Sequence, residues 1–207
     1  MVNNQIRTRS ALPLGTGALA AIALLFGSAS AMAQVAAPIT FVEYSAKFLC
    51  GVVETKEPAA AAVRPGIYET SINIHNPQLP LNPLPSVTFV KKAVLALREG
   101  EKPVPPSRFR RDDLQADFAE QVDCKVIRSL LGAAGAAPFI EGFVVLIVLP
   151  LPVTTPHELD VVGVYTVDTP QQSISLEVVP ITPRLLPLPA ATARQLQDQM
   201  LEQAKPQ

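Results

Sequence analysis

Pro138-Phe-Ile-Glu-Gly-Phe-Val-Val-Leu-Ile-Val-Leu-Pro150 is the stretch on which the fold turns. From Phe139 to Leu149 it is almost continuously apolar and rich in Val, Ile and Phe. Such side chains fit a pleated, packed surface. A proline closes each end, where its missing N–H does not interrupt a ladder. Without polar alternation, both faces of the strand should be covered. The run is too short to span a bilayer, which needs about 20 apolar residues, and it contains Glu141. Gly142 and the β-branched content speak against a buried helix. The stretch is predicted to be the central strand of an all-β domain.

Period-two alternation supplies its neighbours. Val42, Tyr44, Ala46, Phe48 and Cys50 alternate with Glu43, Ser45, Lys47 and Leu49. In Ile67 to His75, the residues Tyr68, Thr70, Ile72 and Ile74 share one face, and Glu69, Ser71, Asn73 and His75 the other. Val87 to Leu97 is a third strand whose alternation slips at Lys91-Lys92. A bulge or an edge position there is expected to let both lysines reach water. Phe118 to Cys124 is a fourth, with Glu120 out of place in its apolar phase. Leu159 to Val167 is read as the partner of the central strand, and Ile174, Leu176 and Val178 mark a last short one.

The intervening stretches are rich in Pro and Gly and read as connections: Glu54 to Pro65, Gln78 to Ser86, Glu99 to Asp113, Gly132 to Ala137 and Pro150 to Pro156. Helical turns are expected at Ala59 to Ala62 and Val126 to Leu131. About seven short strands over residues 34–180 predict an immunoglobulin-like antiparallel β-sandwich, with an open barrel as the alternative. The chain has no Trp, which excludes the antibody-type Cys–Trp–Cys core.

The two ends read differently. Arg7 and Arg9, the apolar run Ala18 to Phe26 and the small-x-small site Ala31-Met32-Ala33 have the form of a signal peptide cleaved before Gln34. Removing 33 of 207 residues leaves 174, enough for one domain with a real core. Of 17 basic residues, 15 then face 18 acidic ones, a formal −3. That balance, without a basic stripe, excludes an ordinary nucleic-acid binder. No second apolar stretch is long enough to cross a membrane. Over 181–207, Pro183, Pro187 and Pro189 predict an extended spacer. A helix follows over 190–204, with Ala193, Leu196, Met200 and Ala204 on one thin stripe, or else a frayed polar tail. Such a stripe can dock on the domain or pair two copies into an oligomer.

Cys50 and Cys124 are the only cysteines. In an exported chain an even count favours a disulfide, here closing a loop of 74 residues.

Tyr44-Ser-Ala-Lys-Phe-Leu-Cys-Gly51, Ile72-Asn-Ile-His-Asn-Pro77, Val122-Asp-Cys124 and Leu159-Asp-Val-Val-Gly-Val-Tyr-Thr166 together resemble a group of small exported bacterial proteins of unknown function. The resemblance spans most of residues 44–166 and implies no activity.

Few residues suggest chemistry. His75, beside Asn76-Pro77, is read as a polar site that fixes a turn or meets a ligand. His157, Glu158 and Asp160 offer only one local histidine, short of the three or four ligands of a zinc site. No Gly-x-Ser-x-Gly elbow and no Gly-rich phosphate loop occurs. Arg108-Phe-Arg-Arg111 is a candidate basic patch for an acidic partner or anionic lipid, while Asp112-Asp113 behind it reads as a solvated loop. The expectation is a non-catalytic binding protein without cofactor or metal, acting on a protein or envelope partner. A subunit of an exported assembly is the alternative, and a metal-dependent enzyme a more distant one.

Overall fold

The computed structural model describes residues 37–54, 63–80, 86–150, 157–169 and 174–205. The segment expected to be a signal peptide, the helical turn expected at Ala59 to Ala62 and residues 151–156 of the expected Pro150 to Pro156 connection lie outside them. Among the described residues nine strands form in chain order: β1 (Ile39–Val53), β2 (Gly66–His75), β3 (Ser86–Leu95), β4 (Arg110–Gln115), β5 (Ala119–Asp123), β6 (Phe139–Val148), β7 (Asp160–Asp168), β8 (Ile174–Pro180) and β9 (Arg184–Leu188). Helix α1 (Cys124–Leu131) precedes a 3-10 helix over Gly132–Ala136, and α2 (Ala190–Gln203) follows β9. Every strand pairing is antiparallel.

The predicted central strand is β6, held between β1 and β3. Its last turns are covered on both faces, as continuous hydrophobicity requires. Val144, Leu146 and Val148 enter the main core. Ile147 and the following Leu149 enter a second cluster with Phe41, Val90, Ala193 and Met200. Nearer its start Phe143 is 41% exposed, so the double cover is partial. Leu159 to Val167 is a strand but not the neighbour of β6. As β7 it pairs with β2 and β8.

The pairing path runs β4-β3-β6-β1-β2-β7-β8, with β9 added to β1 and β5 to β2. The join between β1 and β2 is short, Gly51–Val53 against Gly66–Tyr68. It divides the strands into two wings, β4-β3-β6-β1-β9 and β5-β2-β7-β8. Side chains of both wings share one core, including Tyr44, Phe48, Phe89 and Leu146 from the first and Ile72, Ile74, Val122 and Val161 from the second. The join needs Gly51. Its φ is +115°, and a Cβ there would fall 1.9 Å from the Pro138 carbonyl oxygen.

Two strands were hidden in the sequence, which is why nine form where about seven were expected. β4 occupies part of the charged stretch expected to be loop, and its alternation buries Leu114. β9 occupies the expected spacer and pairs with Ile39–Glu43 of β1. Proline is tolerated in such a flanking strand when its N–H is not needed by the ladder. Cys124 is not strand but the first residue of α1. Asp123 ends β5 and caps α1 by accepting a hydrogen bond from the Val126 N–H at 2.8 Å. The α2 stripe docks within the chain: Ala193 and Met200 are buried in the second cluster, with Leu196 packed against it.

The expected solvent access of Lys91 is also corrected. β3 lies inside the sheet between β4 and β6. The Lys91 side chain is completely buried and shares the inward phase of Val87 and Phe89. It pairs with Asp112 at 2.9 Å and with Glu120 of the other wing. Glu120 therefore sits in an apolar phase because a buried cation waits for it. Lys92 turns outward and lies over the Phe109 ring, 4.7 Å from its centre.

Candidate functional site

The cysteines are joined as Cys50–Cys124, tying the end of β1 to the start of α1. Arg128, from the next turn of α1, donates hydrogen bonds to the carbonyls of Cys50 at 2.9 Å, Ala137 at 2.7 Å and Pro138 at 3.3 Å, and also to that of Gly135. One guanidinium thus gathers the disulfide, the 3-10 helix and the entry to β6. These contacts hold structure rather than present chemistry.

His75 ends β2 and Asn76 follows it, with different roles. Asn76 is fully buried. Its side-chain amide donates to the Leu114 carbonyl at 3.0 Å, and its side-chain oxygen accepts from the Gln78 N–H at 3.3 Å. Its backbone bonds Phe118 and Asp117. It is a clamp between β2 and the β4–β5 turn. His75 is half-exposed between two exposed carboxylates, Asp160 at 3.3 Å from Nδ1 and Asp117 at 3.5 Å from Nε2. Pairs as exposed as these contribute roughly 0–1 kcal/mol.

The sequence neighbours His157, Glu158 and Asp160 do not converge. His157 faces Gln78, and Asp160 faces His75. Among the described residues no group of three His, Cys, Asp or Glu side chains is arranged to hold a metal ion. The basic patch is divided by strand alternation. Arg111 pairs with Asp113 at 3.0 Å, Arg110 lies 3.8 Å from Asp112, and Phe109 packs on the second cluster.

Between the wings β1 has an edge that side chains close. Away from β6, its backbone pairs with β9 over Ile39–Glu43 and with β2 over Gly51–Val53. Between these ladders the second wing reaches across. The Tyr44 hydroxyl donates to the Leu159 carbonyl at 2.8 Å and accepts its N–H at 2.7 Å. Thr70 Oγ1 donates to the Leu49 carbonyl at 2.9 Å and accepts its N–H at 3.0 Å. Tyr165 donates to the Lys47 carbonyl at 3.0 Å. Gly163 permits that reach, since a Cβ there would lie 2.7 Å from the Tyr165 hydroxyl oxygen. Burial pushes the Tyr44 hydroxyl up to about 12. Burial, and then the Glu177 carboxylate, raise that of Tyr165. Beside this seam lies a groove of about 380 Å³ lined by Leu49, Tyr68, Tyr165, Val167, Glu177 and Val179.

The outer side of the groove is β8, a strand exposed along its length. Among the described residues it pairs with β7 alone. Ile174, Leu176 and Val178 point to its outer face and are 75%, 64% and 59% exposed. Inward along the same face stand Asp168, Thr166 and Val164 of β7, then Ile67, Glu69 and Ser71 of β2. The apolar row is thus concentrated at the rim of a largely polar face. The other flanking strands are blunted in the usual ways. β4 carries Arg110 to Asp113, β5 carries Glu120 and Asp123, and β9 carries Pro187. The sequence showed the β8 alternation but not its exposure, because period two says that one face is apolar, not that anything covers it.

Compared with known proteins, the chain matches no family model, no curated protein and no solved structure. Among the described residues no helix is long and apolar enough to cross a membrane.

Proposed function

We propose that this is an exported, non-catalytic binding protein of immunoglobulin-like β-sandwich type, which takes a partner polypeptide by strand addition at β8. The observation that carries the reading is the apolar row Ile174, Leu176 and Val178, exposed on a strand with one partner among the described residues. A terminal strand offers backbone donors and acceptors for another chain, and pockets or rows of alternate side chains add specificity. Fully burying one Val, Leu or Ile side chain is worth roughly 1.5–3 kcal/mol. Three such residues supply a useful part of a binding energy without a deep pocket. Export is supported by the disulfide and by the signal-like pattern before Gln34. A sandwich is supported by two wings sharing one core. The sites where catalysis was conceivable are occupied with structure: Asn76 clamps a turn, and His75 lies between solvated carboxylates.

The test is hydrogen exchange in the presence of native envelope extract, paired with affinity capture. The β8 amides should gain protection, and Leu176→Lys should remove both the protection and the captured species. Binding that leaves β8 exchange unchanged and survives Leu176→Lys refutes the assignment of this edge. A second reading, a subunit of an exported assembly, would use the same strand.

A further inference from the structure

We infer that the strand β8 accepts is β8 of a second copy, paired about a two-fold axis at Leu176. The inference rests on the strand-addition reading and adds the identity of the partner. It comes from the self-complementarity of Ile174-Ser-Leu-Glu-Val-Val-Pro180.

Two copies joined antiparallel with their outer faces on the same side must place one residue opposite itself, because side chains alternate along a strand. The candidates are few. With Glu177 on the axis, two carboxylates face each other directly, and like charges so placed are destabilising. With Val178 on the axis, Pro180 falls opposite Leu176 inside the new ladder, where its missing N–H breaks the pairing. With Ser175 on the axis, Val178 is left outside the apolar contact. With Leu176 on the axis, Ile174 meets Val178 twice and Leu176 meets itself. Six exposed apolar side chains then form one continuous row. On the opposite face each Glu177 meets a Ser175 hydroxyl, which can donate to the carboxylate. This register alone satisfies the apolar row, the charge and the proline together. Among the described residues it also closes the one singly paired strand whose outer face is an apolar row, and it runs the sheet on as β7-β8-β8-β7 across the pair.

The experiment uses the full chain in the form cells accumulate, with sedimentation over a wide concentration range and single-cysteine cross-linking. Both native cysteines are engaged in the bridge, so an added thiol has no internal competitor. The mass should double with concentration, and Leu176→Lys should weaken the dimer at least tenfold with an unchanged circular dichroism spectrum. Leu176→Cys should oxidise to a covalent dimer. Glu177→Cys should not, because its own copies would lie two residues out of register, beyond the roughly 7 Å limit between bridged Cα atoms. Cross-linking through Glu177→Cys and not Leu176→Cys overturns the register. A wild-type monomer at all concentrations, with no Leu176→Cys dimer, overturns the second-copy assignment. If β8 amides are then still protected by another polypeptide, strand addition stands and only the partner is wrong. If they are not, both fall.

Discussion

Removing the buried cation at Lys91 should be the most damaging single change in the inter-wing core. Lys91 has no solvent exposure, whereas Asp112 and Glu120 keep 23% and 28% of theirs. Truncation to Ala leaves two carboxylates facing a space once filled by an ammonium and its methylene stem. Breaking one partner of a buried ion pair costs roughly 3–5 kcal/mol, out of the roughly 5–15 kcal/mol that holds a domain together. For a chain of this size each kcal/mol moves Tm by roughly 2–4 °C, so Lys91→Ala should lower it by roughly 6–20 °C. Replacing all three groups with apolar ones, as Lys91→Met with Asp112→Leu and Glu120→Leu, should recover most of the loss, because the desolvation cost of the cluster vanishes with the cluster. Thermal and urea unfolding followed by circular dichroism measure both variants. A Lys91→Ala penalty under about 1 kcal/mol, the value for a solvated surface pair, would refute the claim that Lys91 works as a buried link between the wings.

Reducing the Cys50–Cys124 bridge, or replacing both cysteines with Ser, should cost up to roughly 4–5 kcal/mol by the loop-entropy argument. Alkylation of the oxidised, denatured protein should find no free thiol. Tyr44→Phe should cost roughly 1–3 kcal/mol, because the Leu159 N–H and carbonyl lose their shared partner. Tyr44 also sets an alkaline limit. Its folded-state pKa of about 12 exceeds the ordinary tyrosine value of 10.0, so its contribution is complete below pH 10 and disappears as pH rises to 12. Tyr44→Phe should flatten that part of a stability-against-pH curve, and an unchanged slope would count against the burial argument. Gly51→Ala should be poorly tolerated at any temperature, since it meets both a positive φ and the Pro138 carbonyl; near-wild-type unfolding would show that the β1–β2 join can shift.

The strands with strict alternation were legible because one face of each meets the shared core. β1 follows that rule from Val42 to Cys50 and β2 from Thr70 to His75. What escaped reading were interactions that depend on a distant partner. Lys91 breaks the β3 pattern and Glu120 breaks the β5 pattern, yet each is the other's explanation, and nothing in either segment alone announces it. β4 was concealed by its own charges. Arg110 and Asp112 share the inward phase with Leu114, so the period-two signal was present beneath a composition that favours loops. The candidate site was half legible. The alternation of Ile174, Leu176 and Val178 was visible, but their exposure follows from β8 coming last in the path, which is a property of the topology.

The C-terminal segment changes meaning once that topology is known. Phe41, Val90, Ile147 and Leu149 all occupy the outward phase of the first wing, opposite Val42, Phe89, Leu146 and Val148. A strand set apolar on both faces requires a second cover. α2 provides it through Ala193 and Met200, carried into place by the pairing of β9 with Ile39–Glu43. The prolines that suggested a spacer therefore stiffen a strap. Deleting residues 181–207 would uncover the outer face of β6, so a change in captured partners after such a deletion would report exposed core rather than a lost docking tail. The reverse comparison separates the two. Arg194→Glu alters the exposed side of α2 and should leave both stability and capture unchanged, whereas Met200→Lys should destabilise the fold while leaving the β8 row in its place.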